Sequence, residues 1–328
     1  MTISVRPPAT DPAPSNGGYR TPTSDPSGPV IGAAAQTQGK RRGLRGFRSV
    51  ARLLVGPAIL ALLLCRLGTG PFMEGIRVID GRSVMAAIVI GLLTTVCSAW
   101  RWRLVAGGLG IRVGLLPGVA AYYRSQLLNT TLPGGVIGDV HRGVSNGRAA
   151  GNVGRGLRAV GWERAAGQFV QILLAAIVLI ALPSPLPRWI PVLIATLMVS
   201  ALGGAMLAAP APHPGGSAVA RIIRTAVADL HNGLFARRAW PGILGACVIV
   251  VAGHTTTFLI AARAAGATGP LEQLLPLAVL VLLAAAVPTN IGGWGPREGV
   301  AAWAFASAGL GPERGVTTAV VFGVMTAI

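Results

Sequence analysis

Acidic side chains are scarce in this chain: 10 of its 328 residues are Asp or Glu, against 28 Lys and Arg, and Lys40 is the single lysine. Acid–base chemistry would have to fall to Asp139, Glu163 and Glu298, which are interleaved with arginines in a way that suits binding better than catalysis. Cysteine is equally sparse. Cys65, Cys97 and Cys247 each sit inside an apolar run, with no CxxC pair and no His at ligand spacing, so neither a disulfide framework nor a metal site is expected. Walker, HExxH, nucleophile-elbow and dinucleotide fingerprints are all missing, and no cofactor or catalytic residue is assigned. No cleavable leader is expected either, because about fifty polar residues precede the first apolar stretch. Charged residues make up 12% of the chain, well below the roughly 25% of soluble domains, which argues against an ordinary soluble protein.

What remains is apolar. Hydrophobic residues account for 52% and mean hydropathy is +0.63, so the expected fold class is all-α, a polytopic membrane helix bundle. The sequence pI near 11.8 would fit a nucleic-acid partner, but the arginines lie mostly between apolar spans, where topology explains them, and no nucleic-acid binding is inferred. Residues 1–49 read as a disordered basic cytoplasmic tail: 1–39 are rich in Pro, Ser, Thr and Gly, and Lys40 to Arg48 places five cations before the first span. Residues 50–328 form the membrane domain, with 210–238 as a cytoplasmic loop or interfacial helix.

About 20 apolar residues cross a bilayer, which identifies Leu53 to Leu67, Val84 to Trp102, Gln168 to Leu182, Ile190 to Ala209 and Trp240 to Ala262 as the firmest spans. Trp100, Trp102, Trp162, Trp189 and Trp240 lie at or near their ends, the expected headgroup level. The basic clusters at 101–112 and 142–158 both belong inside, yet Leu115 to Leu132 lies between them. An even number of crossings is needed, met by a segment that enters, breaks at Pro133 and returns, or by two short crossings. Leu271 to Val287 would start outside by the same reckoning. The count is about seven to eight membrane segments, two of them broken or re-entrant, and an inverted repeat follows if the two are related. Val316 to Ile328 is a final apolar run without a polar flank.

Two motifs carry that relation. LLNTTLPGGVIGDVHRG, Leu127 to Gly143, and LLAAAVPTNIGGWGPREG, Leu282 to Gly299, align Pro133 with Pro288, Gly138 with Gly293 and Arg142 with Arg297 at one common spacing. Proline ends each helix, and Gly134, Gly135 and Gly138, then Gly292, Gly293 and Gly295 after Asn290, permit a bend with free backbone donors. A helix restarting near Asp139 would turn its N-terminal N–H groups to the break and favour an anion. Asp139 and Arg142 could share one face as an ion pair. Arg297 and Glu298 follow Pro296, which suits a first helical turn. Taken alone, either motif is as well explained by turns and snorkelling arginines. Paired interruptions in two halves point instead to a transport site, with the two segments meeting near the midplane and Arg142 and Arg297 gripping a phosphate.

Further candidates flank the motifs. Arg124, Gln126 and Asn129 lead into Pro133, and Arg124 is too deep to be comfortable without a partner. Glu163 and Arg164 open the next helix, as a cap, an ion pair or a substrate contact. His254 lies mid-span beside three threonines and reads as a neutral core histidine sooner than a proton relay.

RSQLLNTTLPGGVIGDVHR, the Glu163–Arg164 pair and PTNIGGWGPREG together resemble the signatures of the lysylphosphatidylglycerol synthase transmembrane-region family, also described as flippase-like, over about residues 50–328. The resemblance implies a polytopic inner-membrane protein that moves phospholipids or lipid-linked headgroups between leaflets. Family members that synthesise the lipid carry an additional soluble domain, and the polar segments here are too short to hold one. The expected function is a lipid flippase or transporter of the cytoplasmic membrane and not an enzyme. The alternative is a non-transporting partner or regulator of an envelope-lipid enzyme, with a membrane-embedded lipid transferase acting through Asp139, Glu163 or Glu298 as a third reading.

Overall fold

A bilayer offers the backbone no hydrogen-bond partner, so an apolar segment must satisfy its own N–H and C=O groups by coiling. The structure, a computed structural model, describes residues 57–132, 135–207, 218–287 and 294–328. The tail at 1–49 lies outside these, as do Pro133, Gly134, Pro288, Asn290, Gly292 and Gly293. The described residues form helices α1 (Pro57–Leu67), α2 (Gly70–Arg77), α3 (Gly81–Gly108), α4 (Leu115–Thr131), α5 (Ile137–Ala149), α6 (Val153–Ala181), α7 (Trp189–Leu207), α8 (Ala218–Asp229), α9 (Trp240–Ala264), α10 (Leu271–Ala285), α11 (Pro296–Ser307) and α12 (Pro312–Ala327). A π-helical turn, Leu230–Leu234, continues α8.

Three of these, α3, α6 and α9, are long and apolar enough to cross a membrane. Asp80 caps α3 by accepting from the Ser83 N–H at 2.9 Å, and Asn152 caps α6 by accepting from the Arg155 N–H at 2.9 Å. Each helix therefore begins earlier than hydropathy alone indicates. Two expectations change. Trp102 is buried, 1% exposed, inside α3, which continues to Gly108, whereas Trp189 and Trp240 are exposed at the starts of α7 and α9. Glu163 and Arg164 lie in the middle of α6, since Asn152 and not Trp162 marks its start, so a dipole-capping role is ruled out. The first expected span ends at Leu67 as α1 does, and beyond it α2 follows at 96° to α1, with Gly68 at φ +70° and Pro71 in the first turn of α2.

Lipid tails are as apolar as leucine, so helices in a bilayer associate through close backbone approach and polar contacts. At the α4–α5 hairpin, a Cβ on Gly138 would stand 2.0 Å from the Ser125 carbonyl oxygen, so only glycine admits this approach. Larger side chains fill the centre elsewhere: Phe258 of α9 meets Phe305 of α11 and Phe322 of α12 edge to face, at 6.4 and 5.6 Å between centroids. Outward, Met85, Val89, Leu92 and Leu93 of α3 and Val248 and Ile249 of α9 are exposed, a surface suited to hydrocarbon.

The 210–238 region holds α8, whose Ile222 and Ile223 are exposed beside Arg221. Asp229, at its end, accepts from Arg158 Nε at 2.7 Å and from Trp162 Nε1 at 3.2 Å, which ties it to α6.

Candidate functional site

The α4–α5 hairpin, α3 and α6 bring five ionisable side chains together. Asp139 and Arg142 pair within α5 as their spacing predicts, with Arg142 Nη2 3.1 Å from Asp139 Oδ1. The same nitrogen lies 3.0 Å from Glu163 Oε2 on α6. Glu163 Oε1 accepts from Arg101 of α3, through Nε at 2.9 Å and through Nη2, and from the Tyr122 hydroxyl at 3.3 Å. Arg164 Nη2 reaches Asp139 Oδ2 at 2.7 Å. Three guanidiniums thus meet two carboxylates, which leaves one positive charge.

Neutral groups complete the cluster. Asp139 also accepts from Ser125 Oγ at 3.0 Å and Asn129 Nδ2 at 3.2 Å, while Asn129 Oδ1 accepts from the Gly138 N–H at 2.8 Å. That last bond ties the start of α5 to α4. Arg142, 2% exposed, is held between the rings of Trp102 and Tyr122, its Cζ 4.5 and 4.2 Å from their centroids. Its Nε and Nη1 have no hydrogen-bond partner among the described residues, so the ring faces are their principal contact.

The second motif builds a smaller version. Arg297 donates to Glu298 Oε1 through Nε at 2.8 Å and Nη2 at 2.6 Å, and Glu298 Oε2 accepts from the Gly295 N–H at 2.7 Å. Gly295 has φ +120°, a conformation open only to glycine, and it turns the chain into Pro296 at the head of α11. Trp294 and Phe322 flank the guanidinium at 5.6 and 5.7 Å. Both motifs therefore bury an arginine against a carboxylate and aromatic rings.

A polar cavity of about 320 Å³ adjoins the first cluster, a size within the range of small-molecule sites. Arg101 and Arg164 line it with Gln126, Asn129, Gln168 and Gln171, and His254 closes one side. Arg142 and Arg297 do not line it. The expectation that those two arginines jointly present themselves to a phosphate therefore does not describe this arrangement: α5 packs on α4 and α6, whereas α11 packs on α10 and α12. Gly135 and Asn129 reach the cavity from the first motif, and Gln171 Nε2, on its wall, donates to the Leu282 carbonyl at 2.9 Å near the second. Arg124 is exposed and lines a second, more apolar cavity of about 690 Å³ with Ile88, Leu92, Leu127 and Met325. Gln126, Thr130, His254 and Thr326 belong to both.

Arg101, Tyr122, Gln168 and Gln171 are the residues that sequence reasoning passed over. A signal for some of them was present. Arg164, Gln168 and Gln171 recur at i, i+4, i+7, and Tyr122, Gln126 and Asn129 at i, i+4, i+7, each the polar stripe of an otherwise apolar helix. Arg101 carried no such mark, because an arginine beside two tryptophans reads equally well as an interfacial anchor.

No curated protein and no solved structure matches the chain. The family model described as lysylphosphatidylglycerol synthase TM region matches residues 49–328. Apolar spans, a buried charge cluster and both glycine motifs lie within that match, and the chain belongs to the lysylphosphatidylglycerol synthase transmembrane-region family, a membrane protein related to lipid synthesis or flippase function.

Proposed function

We propose that the protein is a lipid transporter of the cytoplasmic membrane that carries a phospholipid or lipid-linked headgroup between leaflets and performs no chemistry on it. The single observation that carries this reading is a pair of adjoining cavities that share four lining residues. A polar chamber walled by Arg101 and Arg164 shares Gln126, Thr130, His254 and Thr326 with an apolar one, and all of it lies among helices whose outer faces are apolar. A lipid has the same two parts. Its phosphate suits a site with one excess positive charge, because charge-assisted hydrogen bonds from guanidinium are strong and directional. Its tails suit the apolar chamber. Ionisable groups at such depth are costly and are retained where they serve a pathway.

In this reading the fold has about seven to eight membrane segments, with the α4–α5 and α10–α11 breaks as two re-entrant elements of an inverted repeat, and the N-terminus is cytoplasmic. Alternating exposure of the shared cavity would carry the headgroup across. A non-transporting partner or regulator of an envelope-lipid enzyme gives the adjoining cavities no role, and so is less well supported.

Gln126 lines both cavities, which makes it the place to test. Gln126→Trp should fill the space beside it in each without touching an ion pair. In proteoliposomes carrying a fluorescent phospholipid, wild type should translocate the label and the variant should lose most of that rate while inserting normally. Equal rates in the two would remove the cavity from the pathway.

A further inference from the structure

We propose that Asp139 is an internal stand-in for the lipid phosphate: Arg164 is held by Asp139 in this structure, and a monoanionic phosphodiester headgroup takes that place on binding. This rests on the transport reading for its ligand, though its binding test does not.

The three arginines of the cluster differ in freedom. Arg101 has a side chain 6% exposed and is engaged by Glu163 and, through Nη1, by Cys247 Sγ at 3.3 Å. Arg142 has a side chain 1% exposed and is clamped by two carboxylates and two rings. Arg164 has a side chain 44% exposed, and it lines the polar cavity while reaching Asp139. It is the arginine placed to change partners.

Asp139 can release it at small cost. Without Arg164, its carboxylate keeps Arg142 at 3.1 Å, Ser125 at 3.0 Å and Asn129 at 3.2 Å. The pair is unequally enclosed, with side chains 44% and 12% exposed for Arg164 and Asp139, and the guanidinium meets an oxyanion before and after the exchange, so swapping one for the other is nearly balanced. Near balance is what a carrier needs, since a site that binds too well does not release.

Charge then selects the ligand. Three guanidiniums against two carboxylates leave one positive charge, and a phosphodiester without a cationic group brings one negative charge to a poorly solvated place. A headgroup that also carries an ammonium would leave the excess uncompensated. It would also find no free carboxylate, because neither Asp139 nor Glu163 lines the cavity. The remaining lining from Gln126, Gln168 and Gln171 offers amides, which suit hydroxyls.

Binding of dihexanoyl phosphatidylglycerol and dihexanoyl phosphatidylcholine to the full-length protein in nanodiscs, measured by calorimetry, tests the exchange. Wild type should prefer the anionic lipid. Asp139→Asn, which removes the competitor, should tighten phosphatidylglycerol by about five-fold and leave phosphatidylcholine nearly unchanged. Arg164→Gln should reduce phosphatidylglycerol to the phosphatidylcholine level, and adding Asp139→Asn to it should restore nothing. Unchanged or weaker phosphatidylglycerol binding by folded Asp139→Asn overturns the proposal. If that variant does not fold, Arg164→Gln decides, and a retained anionic preference overturns it. Expected affinities without translocation by wild type in proteoliposomes would leave the exchange standing and remove the transport reading. Translocation with a preference insensitive to both variants would do the reverse.

Discussion

Replacing Glu163 by Gln removes one charge and almost no volume at the most enclosed point of the cluster, where the residue is 0% exposed. Glu163 accepts from two guanidiniums. Their losses are unequal. Arg142 retains Asp139 at 3.1 Å and its two rings, whereas Arg101 retains only Cys247 Sγ at 3.3 Å. The substitution therefore strands Arg101 in an apolar helix with a neutral amide for company, and the excess positive charge of the cluster doubles from one to two. Removing one partner of a buried pair costs about 3–5 kcal/mol. The melting temperature of the detergent-solubilised protein should fall by roughly 6–20 °C on the scaling for domains of about 150–250 residues. A second substitution supplies the sharper check. Glu163→Gln with Arg101→Gln abolishes the stranded charge and should recover most of the loss, a coupling of roughly 2–3 kcal/mol. A single variant within 2 °C of wild type, or a double variant no better than the single, would refute the view that Arg101 depends on Glu163.

Other outcomes follow from the same contacts. Gly138→Ala would force α4 and α5 apart, because its Cβ would lie 2.0 Å from the Ser125 carbonyl oxygen; a sharp loss of monodisperse protein in size-exclusion chromatography is expected. Gly323→Ala places a Cβ 2.3 Å from Arg297 Nη2 and should displace that guanidinium from Glu298, read as a lowered melting temperature that Arg297→Gln in the same chain partly restores. Hydrogen bonding from the Ser83 side chain, and then from its amide, holds the Asp80 carboxyl below its ordinary value of 3.8. A lowered folded value means the cap is intact above 3.8 and is lost as pH falls through the folded value, so the Ser83 amide should exchange faster only in that acid range, and at every pH in Asp80→Ala. Ile222→Asp with Ile223→Asp should weaken protection of α8 from proteolysis in vesicles if that exposed face rests on the bilayer.

Much of the first motif was readable along the chain because its contacts are local. The helix restart near Asp139, its i, i+3 pair with Arg142 and the Arg297–Glu298 neighbours depend on a few adjacent residues, and Pro and Gly announce the breaks. Arg101 is the contrary case. Its partner Glu163 is 62 positions away on another helix, and no spacing rule reaches that far. Trp102 likewise reads as a headgroup anchor because composition places tryptophan at span ends, whereas α3 continues past it to Gly108 and its ring packs on Arg142; Asn152 starts α6 early enough to place Glu163 and Arg164 within it.

Composition and hydropathy alone therefore determined the membrane class, the all-helical architecture and the two interrupted segments, since a bilayer admits few backbone solutions for a chain this apolar. Which arginine faces a cavity and which is locked against carboxylates was settled only in three dimensions. Helix rotation depends on close approaches such as Gly138 on Ser125, and these choose which polar stripe meets which. The sequence singled out Arg142 and Arg297 to grip a phosphate, whereas packing buries both against carboxylates and leaves Arg164 on the cavity wall.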